Sequence, residues 1–432
     1  MNILYASATY APFLGGAETY LRAMTSRMVA ANHCVWAATT DAAEVEAFWN
    51  PRKRTVAALS ETIAGVQVRR ARIRHTPFSP LSFYVYRRVA VELSRLPGAA
   101  LFLRPLAHFM PWAPGYGRLL NQIQQPFDLV HGINIALEWP LIAAWRYARH
   151  RRLPFVATPF VHVGEPGSSL VARNYTMPHQ IEALAGADAV IVQTRIEGDH
   201  LLGFGLDPQR IHVAGMGIDP QDYHSGDLAH FRARYGIPAQ EPIALFMGVI
   251  TRDKGIVHLV QAMRSLWDQG GSAWLVIAGN PTEEFESFWA GLPASVTRRI
   301  IRTGVVTGAD KQDAFAAADI FVLPSRIDSF GIVILEAWAY GLPVVGARAG
   351  GIPSVIDEGQ DGYIAPYGDV PALAQLIDKL LRDASLRREL GSRGKAKMLG
   401  RYTWDLIFQQ HQRIYQSVLS NPRWAKNART GN

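Results

Sequence analysis

A single cysteine, Cys34, stands in a chain of 432 residues, so an intrachain disulfide is excluded. That scarcity fits a reducing compartment, and Cys34 reads as a small buried hydrophobe near the first helix. Long apolar runs are missing as well. None approaches the roughly 20 residues of a membrane-spanning helix. Met1 to Ala6 has no basic stretch ahead of its apolar residues and reads as a first strand, not a secretory leader. The expected location is cytoplasmic, either free or peripheral on the inner face of the cytoplasmic membrane. No D-x-D triad is present to hold a metal–diphosphate complex. Cysteine and histidine spacings do not suggest zinc, and G-x-G-x-x-G is absent. No metal and no cofactor are therefore expected. Helix-turn-helix, zinc-finger and RNA-recognition signatures are also lacking, which argues against a nucleic-acid partner. There is no repeat of fixed period.

The chain does have a globular composition, with 49% hydrophobic residues and enough length for two cores. Its formal net charge is +8, and the excess is uneven. Arg69, Arg70, Arg72, Arg74, Arg87, Arg88, Arg95 and Arg104 fall in one stretch with few acids. Phe78, Tyr84, Phe102, Phe109 and Trp112 are interspersed with them. Arginines mixed with aromatics suit an anionic membrane surface or a lipid-phosphate acceptor. The plain alternative is a solvated arginine face over a second core layer.

Short apolar strands alternate with helical patterns along the first half. Ile3 to Ala6 precedes a helix from about Ala17 to Ala31, and Val35 to Ala38, Phe127 to His131, Phe155 to Thr158, Ala189 to Val192 and Ile211 to Ala214 continue the series. From about Ala239 the pattern restarts with Ile243 to Met247, Trp274 to Ala278, Ile300 to Val306, Ile320 to Leu323 and Val344-Val345. Such alternation predicts parallel sheets with helices on both faces. The fold class is α/β, with two doubly wound, Rossmann-like domains and a cleft between them. Residues 1–230 form the first, 231–400 the second, and 401–432 a last helix and tail. Ser225 to Gln240 is the linker candidate, and the tail from Asn421 is expected to fray.

The densest signal runs from Pro324 to Glu336. Pro324-Ser325-Arg326-Ile327-Asp328-Ser329-Phe330-Gly331 lies between a strand pattern and a helix start. Free N–H groups at a helix N-terminus attract phosphate. Asp328 and Glu336 flank that point, and carboxylates accept hydrogen bonds from sugar hydroxyls. Phosphate beside hydroxyl-binding acids suggests a nucleotide-sugar site. Two other loops fit it. Gly15-Gly16-Ala17-Glu18 follows the first strand, where paired glycines let backbone amides approach a phosphate. Gly248 to Gly255 joins a strand to a helix and carries Arg252 and Lys254, the latter a point charge for a diphosphate. Two histidines, His131 and His162, follow strands and are candidates for proton handling or hydrogen bonding.

The Pro324–Glu336 segment resembles the retaining glycosyltransferases of the large family 4 (group 1), of GT-B architecture. There Pro-Ser leads to a Glu-x7-Glu pair with Phe-Gly just after the first Glu. This chain departs by placing Asp328 at the first acid. Gly15-Gly16-Ala17-Glu18 is similar to the family's Gly-Gly-x-Glu loop, and Gly248 to Gly255 to its Gly-Arg-x4-Lys-Gly segment, with Val249 at the Arg position. The family's Thr-x-His position is occupied by Phe160. A second histidine two residues later in some members corresponds to His162, which makes His131 the reserve candidate. Gly217-Ile218-Asp219, Gly350-Gly351-Ile352-Pro353 and Asp361-Gly362 match further family turns.

The resemblance implies a metal-independent, retaining transferase of hexosyl type. It would use a nucleoside-diphosphate sugar and a glycan or lipid-linked acceptor in cell-surface polysaccharide or glycolipid synthesis. It implies catalytic roles for His162, Asp328 and Lys254. Donor binding would fall to Gly15, Gly16, Arg252, Lys254, Ser329, Phe330, Gly331, Ile332 and Glu336. It also implies that the final helix returns to the N-terminal domain. Rivals are a GT-B nucleotide-sugar epimerase and a non-catalytic nucleotide-sugar-binding protein. A glycoside hydrolase needs two carboxyls about 5–9.5 Å apart, whereas a helical stretch of eight residues spans about 12 Å.

Overall fold

The computed structural model describes residues 1–13, 15–223 and 225–425. The chain divides into two compact units. Unit 1 comprises Met1–Val161, Leu170–Ala214 and the chain from Phe408; unit 2 comprises His162–Ser169 and Gly215–Ile407.

Among the described residues, unit 1 is built on eight strands: β1 (Asn2–Ala6), β2 (Cys34–Thr40), β3 (Ser60–Ile63), β4 (Val66–Ala71), β5 (Leu129–Ile133), β6 (Phe155–Thr158), β7 (Ala189–Val192) and β8 (Ile211–Val213). Their order in the sheet is β3-β4-β2-β1-β5-β6-β7-β8. Every pairing is parallel except the β3–β4 hairpin at the edge. Strands β5, β6 and β7 are wholly buried. This follows from helices covering both faces, which requires continuous apolar runs instead of alternation.

The last long helix, Trp404–Leu419, passes into unit 1 at Phe408. A buried polar network fastens it there. The Tyr415 hydroxyl meets Tyr5 Oη at 3.0 Å and His131 Nδ1 at 2.6 Å, while His131 Nε2 meets Thr158 Oγ1 at 2.8 Å. Tyr20 joins through Thr158 and His411.

Among the described residues, unit 2 has six strands, all parallel: β9 (Ile243–Met247), β10 (Trp274–Ala278), β11 (Ile300–Gly304), β12 (Ile320–Leu323), β13 (Val344–Ala347) and β14 (Gly362–Ala365). The order is β11-β10-β9-β12-β13-β14. Neighbours β9 and β12 are out of sequence, so the order reverses beside them, and ligands of open α/β sheets bind at such a point. Helix Ile256–Asp268 shows why the pattern was readable: Ile256, Leu259, Val260, Met263 and Leu266 form one buried stripe.

Three expectations are corrected. Cys34 is exposed, not buried, because it opens β2 at the rim of the sheet just after the Ala31-Asn32 turn. Ser225 to Gln240 is no bare linker. It contains helix Leu228–Tyr235, capped by Asp227 accepting from the His230 amide and ended by Gly236 in the left-handed region, with Phe231 buried in unit 2. Arg70 does not face solvent. It is 3% exposed and donates to Glu61 and to the Ala58 and Ala11 carbonyls. Of the expected fraying tail, Pro422–Ala425 forms a short helix, and residues 426–432 lie outside the described residues.

Candidate functional site

In unit 2, four loops converge at the C-terminal ends of β9, β12 and β13. The β12 loop runs from Pro324 to Gly331 and ends in helix Ile332–Ala339, whose N-cap Gly331 has φ 83°. Only glycine takes that conformation without strain. The Arg326 amide donates to the Asp253 carbonyl at 3.0 Å, tying the β12 loop to the β9 loop. The Gly351 amide donates to the Asp328 carbonyl at 2.7 Å, and the Gly350 amide to the Gly164 carbonyl at 2.8 Å. A side chain at Gly350, already at φ 58°, would strike the Asp328 carbonyl, which explains a glycine there.

Side chains follow the backbone. Lys254 Nζ and Asp328 Oδ1 form an ion pair of 2.6 Å, and both groups are mostly shielded from solvent. Burial pushes the Asp328 carboxyl up, but the Lys254 charge and hydrogen bond outweigh it and hold the acid below its usual range. Its second oxygen, Oδ2, is buried with no hydrogen-bond partner among the described residues. His162 lies beside this pair. Burial pushes its imidazole down to about 4, with Lys254 adding to the effect and Asp328 opposing it. It is a neutral ring at physiological pH.

Glu336 repeats the arrangement one helix further on. Its Oε1 accepts from Lys311 Nζ at 2.8 Å and from the Tyr223 hydroxyl at 2.9 Å. Its Oε2 is buried without a partner among the described residues. Buried polar atoms are nearly always hydrogen-bonded, so each of these oxygens is an acceptor open to a donor from water or a ligand. Each carboxylate thus has one oxygen oriented by cations and one able to accept a hydroxyl.

Other expected residues stand differently. Arg252 is more than half exposed and pairs with Glu284 at 2.7 Å, turned to the surface. Arg326 takes the inner position, with Glu165 at 2.9 Å and Asp253 at 2.7 Å. Val249 is 53% exposed. His131 is wholly buried in unit 1 with both ring nitrogens engaged, so it braces the core. Gly15 and Gly16 also belong to unit 1. Gly15 is the extended N-cap of helix Gly16–Ala30, and a side chain there would collide with the Glu18 carboxylate, which turns back to accept from Thr9. Gly16 has open space around it.

Sequence reasoning missed Arg326, Glu165, Lys311 and Tyr223. Arg326 sat within the quoted motif and Glu165 three residues after His162. Lys311 and Tyr223 carry no local signal, since only packing brings helix Gly308–Ala317 and the Pro220–Asp222 turn to Glu336.

Comparison with known proteins identifies the family and the fold. Residues 14–222 match Glycosyltransferase Family 4 and residues 229–397 match Glycosyl transferases group 1. The N-acetyl-alpha-D-glucosaminyl L-malate synthase of Bacillus anthracis is 30% identical over 204 residues, covering 46% of this chain and 52% of that protein. The alpha-maltose-1-phosphate synthase of Mycolicibacterium smegmatis is 33% identical over 253 residues, covering 55% and 65%. The chain thus spans about half to two thirds of the length of these relatives. Among solved structures, sucrose-phosphate synthase from Thermosynechococcus elongatus superposes with a TM-score of 0.69 at 20% identity, over 97% of this chain and 100% of the other. HepE of Anabaena in complex with UDP gives 0.68 at 18%, over 96% and 100%. Together the two family matches take in every strand of both sheets except β1, so the chain belongs to the group 1 glycosyltransferases of family 4 and has the GT-B fold.

Proposed function

We propose that this protein is a retaining glycosyltransferase. It moves a hexosyl group from a nucleoside-diphosphate sugar to a glycan or lipid-linked acceptor in cell-surface polysaccharide or glycolipid synthesis. The observation that carries this reading is the carboxylate pair, Asp328 and Glu336, each with a cation-held oxygen and a buried, unpartnered one. Glu336 accepts the ribose hydroxyls and Asp328 those of the donor sugar. Between them, Ser329 to Ile332 present the backbone amides at the N-terminus of helix Ile332–Ala339, which suit a diphosphate. Gly15 and Gly16 remain in the reading as an anion-contacting turn of unit 1.

Transfer breaks the bond between the anomeric carbon and the diphosphate oxygen and forms one to an acceptor oxygen. The acceptor proton leaves with the phosphate. Negative charge grows on the departing diphosphate, and Lys254 with the helix amides stabilises it most in the transition state. His162, neutral, offers the donor sugar a hydrogen bond without adding a second positive charge. These groups supply the neutralisation for which other transferases use a metal. Activity is expected to persist in excess EDTA, and loss of activity with rescue by Mg²⁺ or Mn²⁺ contradicts this assignment.

HepE was crystallised with UDP and with UDP-glucose, which makes uridine nucleotides the first ligands to try. The deciding experiment incubates the protein with a panel of nucleotide sugars and candidate acceptors and follows the anomeric protons by NMR. A product with the donor's anomeric configuration supports the reading. Inversion, or an epimerised donor without transfer, overturns it. A second reading, nucleotide-sugar binding without catalysis, draws on the exposed Val249 and the outward Arg252. Binding with no turnover of any donor selects it.

A further inference from the structure

Helix Leu81–Leu93 of unit 1 is apolar on two faces, one packed inward through Phe83, Ala90, Val91 and Leu93 and one turned to solvent. Its inward residue Ala90 is 3% exposed, yet Leu81, Tyr84, Val85 and Val89 on the outer face are each about half exposed or more, from 48% to 67%. Helix Ala100–Leu106 packs beside it through Ala90, Ala99 and Leu103 and turns out Leu101 and Phe102, at 66% and 68%. Phe78, just before the first of these helices, is 90% exposed. Single exposed apolar residues need no explanation, but a contiguous set marks a docking surface.

What adjoins the patch decides its occupant. A cavity of about 270 Å³ opens along the same helix, lined by Tyr84, Arg87, Arg88, Arg95, Leu170 and Arg173 among others. Its wall holds four arginines against one acid, Glu92. Arg87 is neutralised by the buried Glu138. Arg88 and Arg95 share the single Glu92 and stay 81% and 53% exposed. The basin is therefore cationic, and an apolar rim surrounds it. Phosphate beside hydrocarbon is the chemistry of an anionic phospholipid surface. Arginine forks suit phosphate oxygens, and apolar side chains enter the headgroup–acyl boundary.

We propose that the face formed by helices Leu81–Leu93 and Ala100–Leu106 docks on an anionic lipid bilayer, with the Arg88–Arg95–Arg173 basin seating a lipid phosphate. This narrows the membrane contact expected from the sequence to the part of that stretch that follows Phe78. Arg70 is buried, and Arg69 lies over the Trp36 ring at 4.9 Å. The proposal concerns unit 1 alone and does not depend on the donor reading.

The test is co-sedimentation of the full chain, without nucleotide, with vesicles of phosphatidylcholine alone or containing phosphatidylglycerol. Binding to the anionic vesicles only, weakening as salt rises, is expected. The triple variant Arg88→Gln/Arg95→Gln/Arg173→Gln loses about tenfold or more in partitioning. Leu101→Ser/Phe102→Ser also loses partitioning, with an unchanged melting temperature. Competition by millimolar inorganic phosphate that releases the protein completely assigns the basin to a free anion and overturns the bilayer. So does failure of wild type to bind at low salt. Equal partitioning of the triple variant removes the basin from the interface. A dimer in light scattering that Leu101→Ser/Phe102→Ser dissolves, with no vesicle binding, replaces the bilayer with a second copy of the chain. A protein that binds vesicles but transfers no sugar refutes the proposed function and leaves this inference standing.

Discussion

Glu336 and Lys254 are the side chains whose replacement discriminates best. In Glu336→Gln a charged acceptor becomes a neutral amide, and the Lys311 charge loses its partner. A loss of about 1–2 kcal/mol in transition-state stabilisation is expected. The ratio of kcat/KM values, measured on protein of unchanged melting temperature, checks it. Lys254→Ala acts twice, since it removes the charge that meets diphosphate and leaves Asp328 buried without its cation. Turnover should fall more than in Glu336→Gln, and normal turnover in this variant would pass the role to Arg326.

His162 gives a pH signature. Its folded value of about 4 lies below its ordinary 6.5, so the unfolded chain takes up a proton that the folded chain refuses. Its contribution to stability is complete above 6.5 and is lost as pH falls toward about 4. Glu197 runs the other way: burial pushes it up to about 7, against the backbone amides of Gln193 and Val161, and its contribution fades as pH rises. His162→Asn should therefore show a smaller drop in melting temperature between pH 7 and pH 5 than wild type. An equal drop would remove His162 from the titration.

Among the elements, helix Trp404–Leu419 illustrates how a single side chain fixes a tertiary connection. Tyr415 reaches Tyr5 on β1 and His131 on β5, and His131 in turn bonds Thr158 on β6. Burial drives the His131 imidazole well below its ordinary value, so it serves as a neutral hydrogen-bonding bridge. Tyr415→Phe keeps the ring but strands one nitrogen and one hydroxyl in the core. The expected cost is about 1–3 kcal/mol, read from the shift in urea midpoint at constant slope. An unchanged midpoint would mean that the network relaxes around the missing hydroxyl.

For the whole molecule, donor binding is a statement about the folded state and should raise its melting temperature by mass action. At a ligand concentration about 100 times Kd the gain is about 2.7 kcal/mol. A thermal series with UDP, GDP, ADP and CMP is expected to select one base. Glu336→Gln should reduce that shift, while the arginine-basin variants leave it intact. A series with no shift for any nucleotide would sink the donor assignment. Within unit 2, the sheet order places the β9 and β12 loops side by side, although 74 residues separate Lys254 from Asp328, which is how two short motifs become one site.

The sequence by itself determined the strands and the motifs. Continuous apolar runs such as Ile243–Met247 and Ile320–Leu323 are buried on both faces, and such runs read directly as central parallel strands. Lys254, Asp328, Gly331 and Glu336 were legible because loop chemistry at a strand–helix junction is local. Tertiary structure decided whatever depended on distant partners. It set Arg326 inward and Arg252 outward, paired Lys311 and Tyr223 with Glu336, and closed His131 into a core network. It also buried Arg70 while leaving the outward apolar residues Leu81, Tyr84, Val85 and Val89 uncovered. The physical reason is common to all of these. Composition and periodicity report which groups must leave water or stay in it on average. Which arginine finds an acid, and which apolar stripe finds a neighbour, depends on elements the chain brings together only when folded.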